Sequence, residues 1–99
     1  MKVIRRSNVF DTWLKKIRDS RARNRIYRRI ERLADGNPGD VKPAGEGISE
    51  MRIDYGNGYR VYYKDTDREI IILLCGGDKT TQQKDIERAR KIARLYLEE

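Results

Sequence analysis

The spacing of apolar residues along the chain changes period twice, and the changes divide it into helical, extended and again helical stretches. Residues 2–5, KVIR, read as a short strand, and Ser7 or Asn8 is placed to cap a helix that follows. Val9, Phe10, Trp13, Leu14 and Ile17 then share one face at helical spacing. A second helix is predicted from about Ser20 to Ala34, with Ala22, Ile26, Ile30 and Leu33 inward, and it stops at the breakers Gly36, Asn37, Pro38 and Gly39.

The stretch GNPGDVKPAGEG reads as an irregular loop, because it holds both prolines and four of the eight glycines. Beyond it the alternation is that of strands. Met51, Ile53 and Tyr55 alternate with Glu50, Arg52 and Asp54, and Tyr59, Val61 and Tyr63 alternate with Arg60, Tyr62 and Lys64, around a Gly56-Asn57-Gly58 turn. After a turn at Asp65-Thr66-Asp67, the run EIIILLC suits a central strand buried on both faces, ended by Gly76-Gly77. Ile86, Ala89, Ile92, Ala93 and Tyr96 restore helical spacing between about Thr81 and Leu97, with Thr80 or Thr81 as the cap.

These elements predict an α+β fold: one domain over residues 1–99, a small, twisted, mostly antiparallel sheet of about four strands, two N-terminal helices and one C-terminal helix. The helices are expected on one face of the sheet, leaving the other face to water or a ligand.

Charge changes this picture more than size does. Charged residues, at 39%, outnumber hydrophobic ones, at 37%, so a folded core must carry a heavily charged surface. The net charge of +7 is unevenly placed: residues 1–35 hold 12 basic and 4 acidic side chains, whereas residues 36–78 hold 5 and 8. A cationic N-terminal third attracts polyanions, nucleic acid first among them, with binding that falls steeply as salt rises. Histidine is absent, which removes histidine general acid/base catalysis, Ser-His-Asp triads and histidine-ligated metals. Cys75 is the single cysteine, so no internal disulfide forms and the usual zinc clusters are excluded; it reads as a small buried hydrophobe. No metal or other cofactor is expected. The start of the chain lacks a long apolar segment and no run suits a membrane helix, so a cytoplasmic protein without a membrane partner is expected.

Alternation turns Arg52 and Arg60 away from the core, and their equal distance from the turn near Asn57 places them side by side across the hairpin. Two guanidiniums on one open sheet face make a phosphate clamp. The same pattern also fits ordinary water-facing arginines paired with Asp54 or Glu50. Lys79 follows the last strand close to the start of the third helix, where anions commonly bind, and Thr80, Thr81 and Gln82 are further donors there; a solvated lysine in a capped turn is the plainer reading. On the second helix Arg25, Arg28, Arg29 and Arg32 form a stripe at i, i+3, i+4 and i+7. Like charges at this spacing weaken a helix, which favours an anionic partner over a merely solvated face. Trp13 and Phe10 read as core residues and not as base-stacking platforms.

The strings WLKKIRD, RIERLADGNPGDVKPAGEGISEMRIDYGNGYRVYY and IIILLCGGDKTTQQKDIERARKIA resemble the RelE/ParE toxin superfamily, and within it the HigB-like addiction module killer branch, over about residues 7–95. The resemblance implies the toxin of a type II toxin-antitoxin pair. Its partners would be a cognate antitoxin, a helix-turn-helix protein, together with mRNA and ribosomal RNA on the ribosome; operator DNA would be met only through the antitoxin. Many relatives are ribosome-dependent, metal-independent endoribonucleases, whereas the ParE branch inhibits DNA gyrase, and a partner-binding module without activity is a third possibility. Carried over by position, the basic cluster of RelE-type enzymes falls on Arg52, Arg60 and Lys79. Two positions depart from that pattern: Glu50 stands where a second basic residue is found, and Lys84 and Asp85 stand where an aromatic often follows. The expected site is therefore catalytic Arg52, Arg60 and Lys79, with Tyr62 or Lys84 as proton-transfer candidates and Arg25, Arg28, Arg29, Arg32, Lys42 and Gln82 contacting RNA.

Overall fold

The structure, a computed structural model, describes residues 1–97. Residues 98 and 99 of the expected domain lie outside the described residues. In chain order the elements are β1 (Val3–Arg6), α1 (Asn8–Lys16), α2 (Ser20–Ala34), β2 (Val41–Pro43), β3 (Ile48–Ile53), β4 (Tyr59–Asp65), β5 (Ile70–Gly77) and α3 (Gln82–Leu97). No helix is long and apolar enough to cross a membrane among the described residues.

The expected class holds and the sheet differs in detail. It has five strands in the order β1-β5-β4-β3-β2, and it is mixed, because β1 runs parallel to β5 while the other pairs are antiparallel. The added strand, β2, lies inside the proline- and glycine-rich segment. Its three residues are too few to show alternation, yet they pair with Ser49–Met51 of β3. β5 also runs through Gly76 and Gly77 instead of ending before them. Both glycines are close-approach positions: a β-carbon on Gly76 would collide with the Trp13 ring, and one on Gly77 with the Asp85 carboxylate.

The layering is the larger correction. Phe10, Leu14 and Ile17 of the α1 region and Ala22, Ile26, Ile30 and Leu33 of α2 pack on Met51, Ile53, Val61, Tyr63, Ile71 and Leu73. Ala89, Ile92 and Ala93 of α3 pack on the opposite face, against Ile48, Tyr62, Ile72, Leu74 and Cys75. The helices thus cover both faces, as a β5 apolar on both sides requires. A bulge in the β4–β5 pairing lets consecutive Leu74 and Cys75 both meet α3, since Tyr62 pairs with Cys75 and Tyr63 with Leu73.

Local chemistry sets the helix starts. Ser7 caps α1 by accepting the Phe10 N–H at 2.9 Å, and its hydroxyl donates to the Leu74 carbonyl at 2.6 Å, tying the helix entry to β5. Asp19 caps α2 by accepting from the backbone of Arg21 and Ala22. α3 leaves uncovered the end of the sheet where β3 stops and β4 begins, and the candidate site lies there.

Candidate phosphate-binding site

The hairpin register pairs Arg52 directly with Arg60, and Arg60 in turn pairs with Gly77 of β5. Both arginines stand on the α3 side of the sheet beyond the helix's first turn. Lys79 is exposed just after β5 and reaches back across the β3–β4 turn: a β-carbon on Gly58 would stand 3.8 Å from its Cδ. Gly58 has φ of +75°, a conformation glycine adopts at no steric cost, so the turn favours glycine there. The three basic residues singled out from the sequence are therefore neighbours at one end of the sheet. A shallow depression beside them is lined by Arg52, Arg60, Asp40, Asp54, Tyr59 and Gly58.

The two arginines differ in their surroundings. The Arg52 side chain is 42% exposed and donates from Nη2 to Asp40 Oδ1 at 3.0 Å. That of Arg60 is only 16% exposed, and its Nε lies 3.6 Å from Glu50 Oε1. Arg60 Nε and Nη1 and Arg52 Nε are buried without a hydrogen-bond partner. Buried N–H groups left without a hydrogen bond each cost about 1–3 kcal/mol, and of these Arg60 Nε is the one that faces the Glu50 carboxylate. Asp78, near Arg60, is held below the usual carboxylate range, first by the Thr80 hydroxyl and backbone N–H and then by Arg60.

Beneath the arginines is Glu50, which the sequence offered both as a departure from a pattern and as an ion-pair partner of the strand arginines, and it does face Arg60. Glu50 is 2% exposed; its Oε2 accepts from Tyr62 Oη at 3.1 Å and from Gln82 Nε2 at 2.8 Å. Its place in the alternation, on the face of Arg52 and Arg60, was the available signal, but burial there became apparent only with α3 in position. These bonds change the expected roles of two residues. Tyr62 is fully buried, and burial together with the Glu50 carboxylate pushes its hydroxyl well above the ordinary tyrosine range, so it has neither reach nor tendency to take a proton from a substrate. One N–H of the Gln82 side-chain amide is taken by Glu50, so Gln82 also serves to hold that carboxylate. Lys84 is exposed in the first turn of α3, and Lys42 is exposed on β2 opposite Glu50 in the ladder.

The α2 stripe also divides. Arg29 turns inward and donates to the carbonyls of Arg52 (2.6 Å), Pro38 (3.0 Å) and Asp40 (3.3 Å), so it ties the segment before β2 to the end of β3 and is not a free RNA contact. Burial lowers its pKa from the ordinary arginine value. Arg25 lies 4.6 Å above the Tyr55 ring, whose hydroxyl donates to Asp19 at 3.1 Å. Arg28 and Arg32 are exposed, with no carboxylate at ion-pair distance among the described residues. With Arg21, Arg25 and Arg29 they line a shallow groove ending at Ile53 and Asp54, which also border the depression at Arg52 and Arg60. The two basic features are contiguous.

This architecture has solved counterparts. It matches the intact E. coli RelBE toxin-antitoxin complex at 13% identity, with a TM-score of 0.67, over 79% of this chain and 96% of that one. It matches a double mutant of the E. coli toxin RelE in the free state at 15% identity, with a TM-score of 0.70, over 91% and 95%. At that identity the likeness is one of fold. In sequence, an uncharacterized protein of Haemophilus influenzae is 51% identical over 90 residues, 91% of each chain. The family described as phage derived protein Gp49-like matches residues 12–96. With nearly the whole chain inside that match, from the middle of α1 almost to the end of α3, this protein is a member of the Gp49-like family.

Proposed function

We propose that the protein is the toxin of a type II toxin-antitoxin module, held in check by a cognate antitoxin, and that it cleaves mRNA on the ribosome in the cytoplasm. The observation that carries this reading is the convergence of Arg52, Arg60 and Lys79 at the open end of the sheet, where Arg52 and Arg60 line a shallow depression. The RelE fold, known in a toxin-antitoxin complex, adds support. The motif CGGDK-x-x-Q is the reason for preferring the HigB-like branch.

Cleavage follows from holding one phosphodiester in this cluster. The RNA 2′-oxygen attacks the adjacent phosphorus in line, the bond from phosphorus to the 5′-oxygen breaks, and a 2′,3′-cyclic phosphate and a 5′-hydroxyl result. Arg52 and Arg60 stabilise the charge that grows on the non-bridging oxygens, a preorganised electrostatic role whose loss costs on the order of 10²-fold to 10³-fold in rate. Lys79, exposed just after β5, neutralises the leaving oxygen and donates the proton it needs. With Tyr62 sealed beneath Arg60, the proton of the 2′-hydroxyl passes to water, and ribosome-held geometry supplies the alignment. Arg25, Arg28 and Arg32, with Lys42 at the far edge of the sheet, grip the flanking RNA.

The double substitution Arg60→Ala with Lys79→Ala tests the reading. It abolishes mRNA cleavage in a translating extract while antitoxin binding persists. Undiminished cleavage by that variant refutes the mechanism, and inhibition of gyrase supercoiling by a protein that leaves mRNA intact refutes the choice of target.

A further inference from the structure

The reading above leaves Glu50 without a role, although no other acid near the arginines is so deeply buried. A carboxylate withdrawn from water is tolerated only when it is paired and hydrogen-bonded, and here the two requirements fall on different oxygens. Oε2 takes both neutral donors, Tyr62 Oη from the residue directly across the ladder and Gln82 Nε2 from the first turn of α3. Two bonds from different elements fix the plane of the carboxylate. Oε1 has no hydrogen bond and faces Arg60, whose Nε is 3.6 Å away.

The effect on Arg60 follows from geometry. A guanidinium is a rigid planar fork, so attraction at its Nε edge orients the remaining N–H groups as a unit. Arg60 is also confined between Arg52 on one neighbouring strand and Gly77 on the other. A negative charge this close to an anion site opposes phosphate binding by simple Coulomb repulsion, so improved affinity does not explain its presence. Orientation does.

Resting on the phosphate-cleavage reading, we propose that Glu50 is a positioning residue: clamped by Tyr62 and Gln82, its carboxylate holds the Arg60 guanidinium in a single orientation toward the reacting phosphate without touching the RNA. Charge and position then make opposite demands, and removing the carboxylate separates them. Glu50→Gln keeps the side-chain volume and an acceptor for Tyr62 but loses the charge facing Arg60. Tyr62→Phe keeps the charge and loosens the clamp.

Kinetics on ribosome-bound mRNA and the Nε–Hε resonance of Arg60 in nitrogen-15 spectra test this together. For Glu50→Gln, kcat falls on the order of 10²-fold, the cost typical of a catalytic group misplaced by an ångström, while KM stays level or decreases. The Arg60 resonance, resolved in the wild type, averages with those of the solvent-exposed arginines. Tyr62→Phe shifts both readouts in the same direction and less far, and it carries the test if Glu50→Gln does not fold. Unchanged kcat in both variants, or a rise in KM with kcat unchanged, overturns the proposal. So does a loss of kcat with the Arg60 resonance unaltered, which would make Glu50 a proton acceptor. If the wild type cuts no mRNA, the ribonuclease reading fails separately. Inorganic phosphate then serves as the probe: it shifts a single sharp Arg60 resonance in the wild type and an averaged one in Glu50→Gln, and identical resonances in the two proteins overturn the role assigned to Glu50.

Discussion

Arg28 and Arg29 are adjacent on one helix, carry the same charge and belong to the same basic stripe, yet replacing them has unequal consequences. Arg29 donates two short hydrogen bonds, to the carbonyls of Arg52 and Pro38, and a longer one to that of Asp40. Bonds from a charged donor contribute about 1.5–3 kcal/mol each when well formed. The two shorter bonds, taken at the low end because the side chain is only half-buried, give about 3 kcal/mol; at 3.3 Å the last adds little. Arg29→Met keeps the aliphatic stem and removes all three. In a domain of this size 1 kcal/mol moves Tm by about 4–8 °C, so Tm falls by roughly 12–24 °C. Arg28→Met, on the exposed side, changes stability by less than about 0.5 kcal/mol. Arg29→Lys restores little, because a single ammonium cannot span three separated carbonyls in one plane. Differential scanning calorimetry of the three variants decides the matter. Equal melting temperatures for Arg28→Met and Arg29→Met would refute the assignment of Arg29 to the scaffold.

Two further outcomes follow from buried groups. Burial raises the Asp85 carboxyl above its ordinary value, against the opposing bond from Thr81, so the fold prefers its protonated form. Its favourable contribution is complete below the unfolded value and is lost as pH rises through the folded one; urea unfolding of wild type and Asp85→Asn will therefore show a wild-type advantage that is full in acid and shrinks as pH rises above the ordinary carboxylate value. A pH-independent difference contradicts this, and the opposite trends of Asp19, Asp65 and Asp78, all lowered, cancel in the comparison. The Cys75 thiol, buried in β5 and pushed up to about 12, stays unreactive toward iodoacetamide at pH 8 until urea unfolds the chain; mass spectrometry showing full labelling of the native protein would place it at the surface.

Much of the fold was legible because the responsible signals are local. The Gly56-Asn57-Gly58 turn, together with alternation on either side, sets the register that makes Arg52 and Arg60 partners, and both are short-range properties. What escaped depends on distant segments. β2 has no period of its own and exists because β3 offers it an edge. The expectation of one covered face conflicted with the run EIIILLC, which called for cover on both, and that run was the better guide. The arginine stripe had the correct spacing, but periodicity cannot tell that Arg29 faces three carbonyls while Arg28 faces water. Glu50 stood in plain view as an acid among expected bases, and its meaning depended on Gln82, 32 residues later, coming to rest above it.

The parallel pairing of β1 with β5 has a consequence for how the protein is made. Ser7 and its acceptor, Leu74, are 67 residues apart, and bringing ends so distant together costs about 4 kcal/mol of loop entropy beyond a length-independent part. During synthesis β1 emerges first and remains without a neighbour until the strand beside it has left the exit tunnel. The hairpin that carries Arg52 and Arg60 can pair as soon as β4 has emerged, whereas the five-stranded sheet with β1 in place closes only once β5 has followed it out.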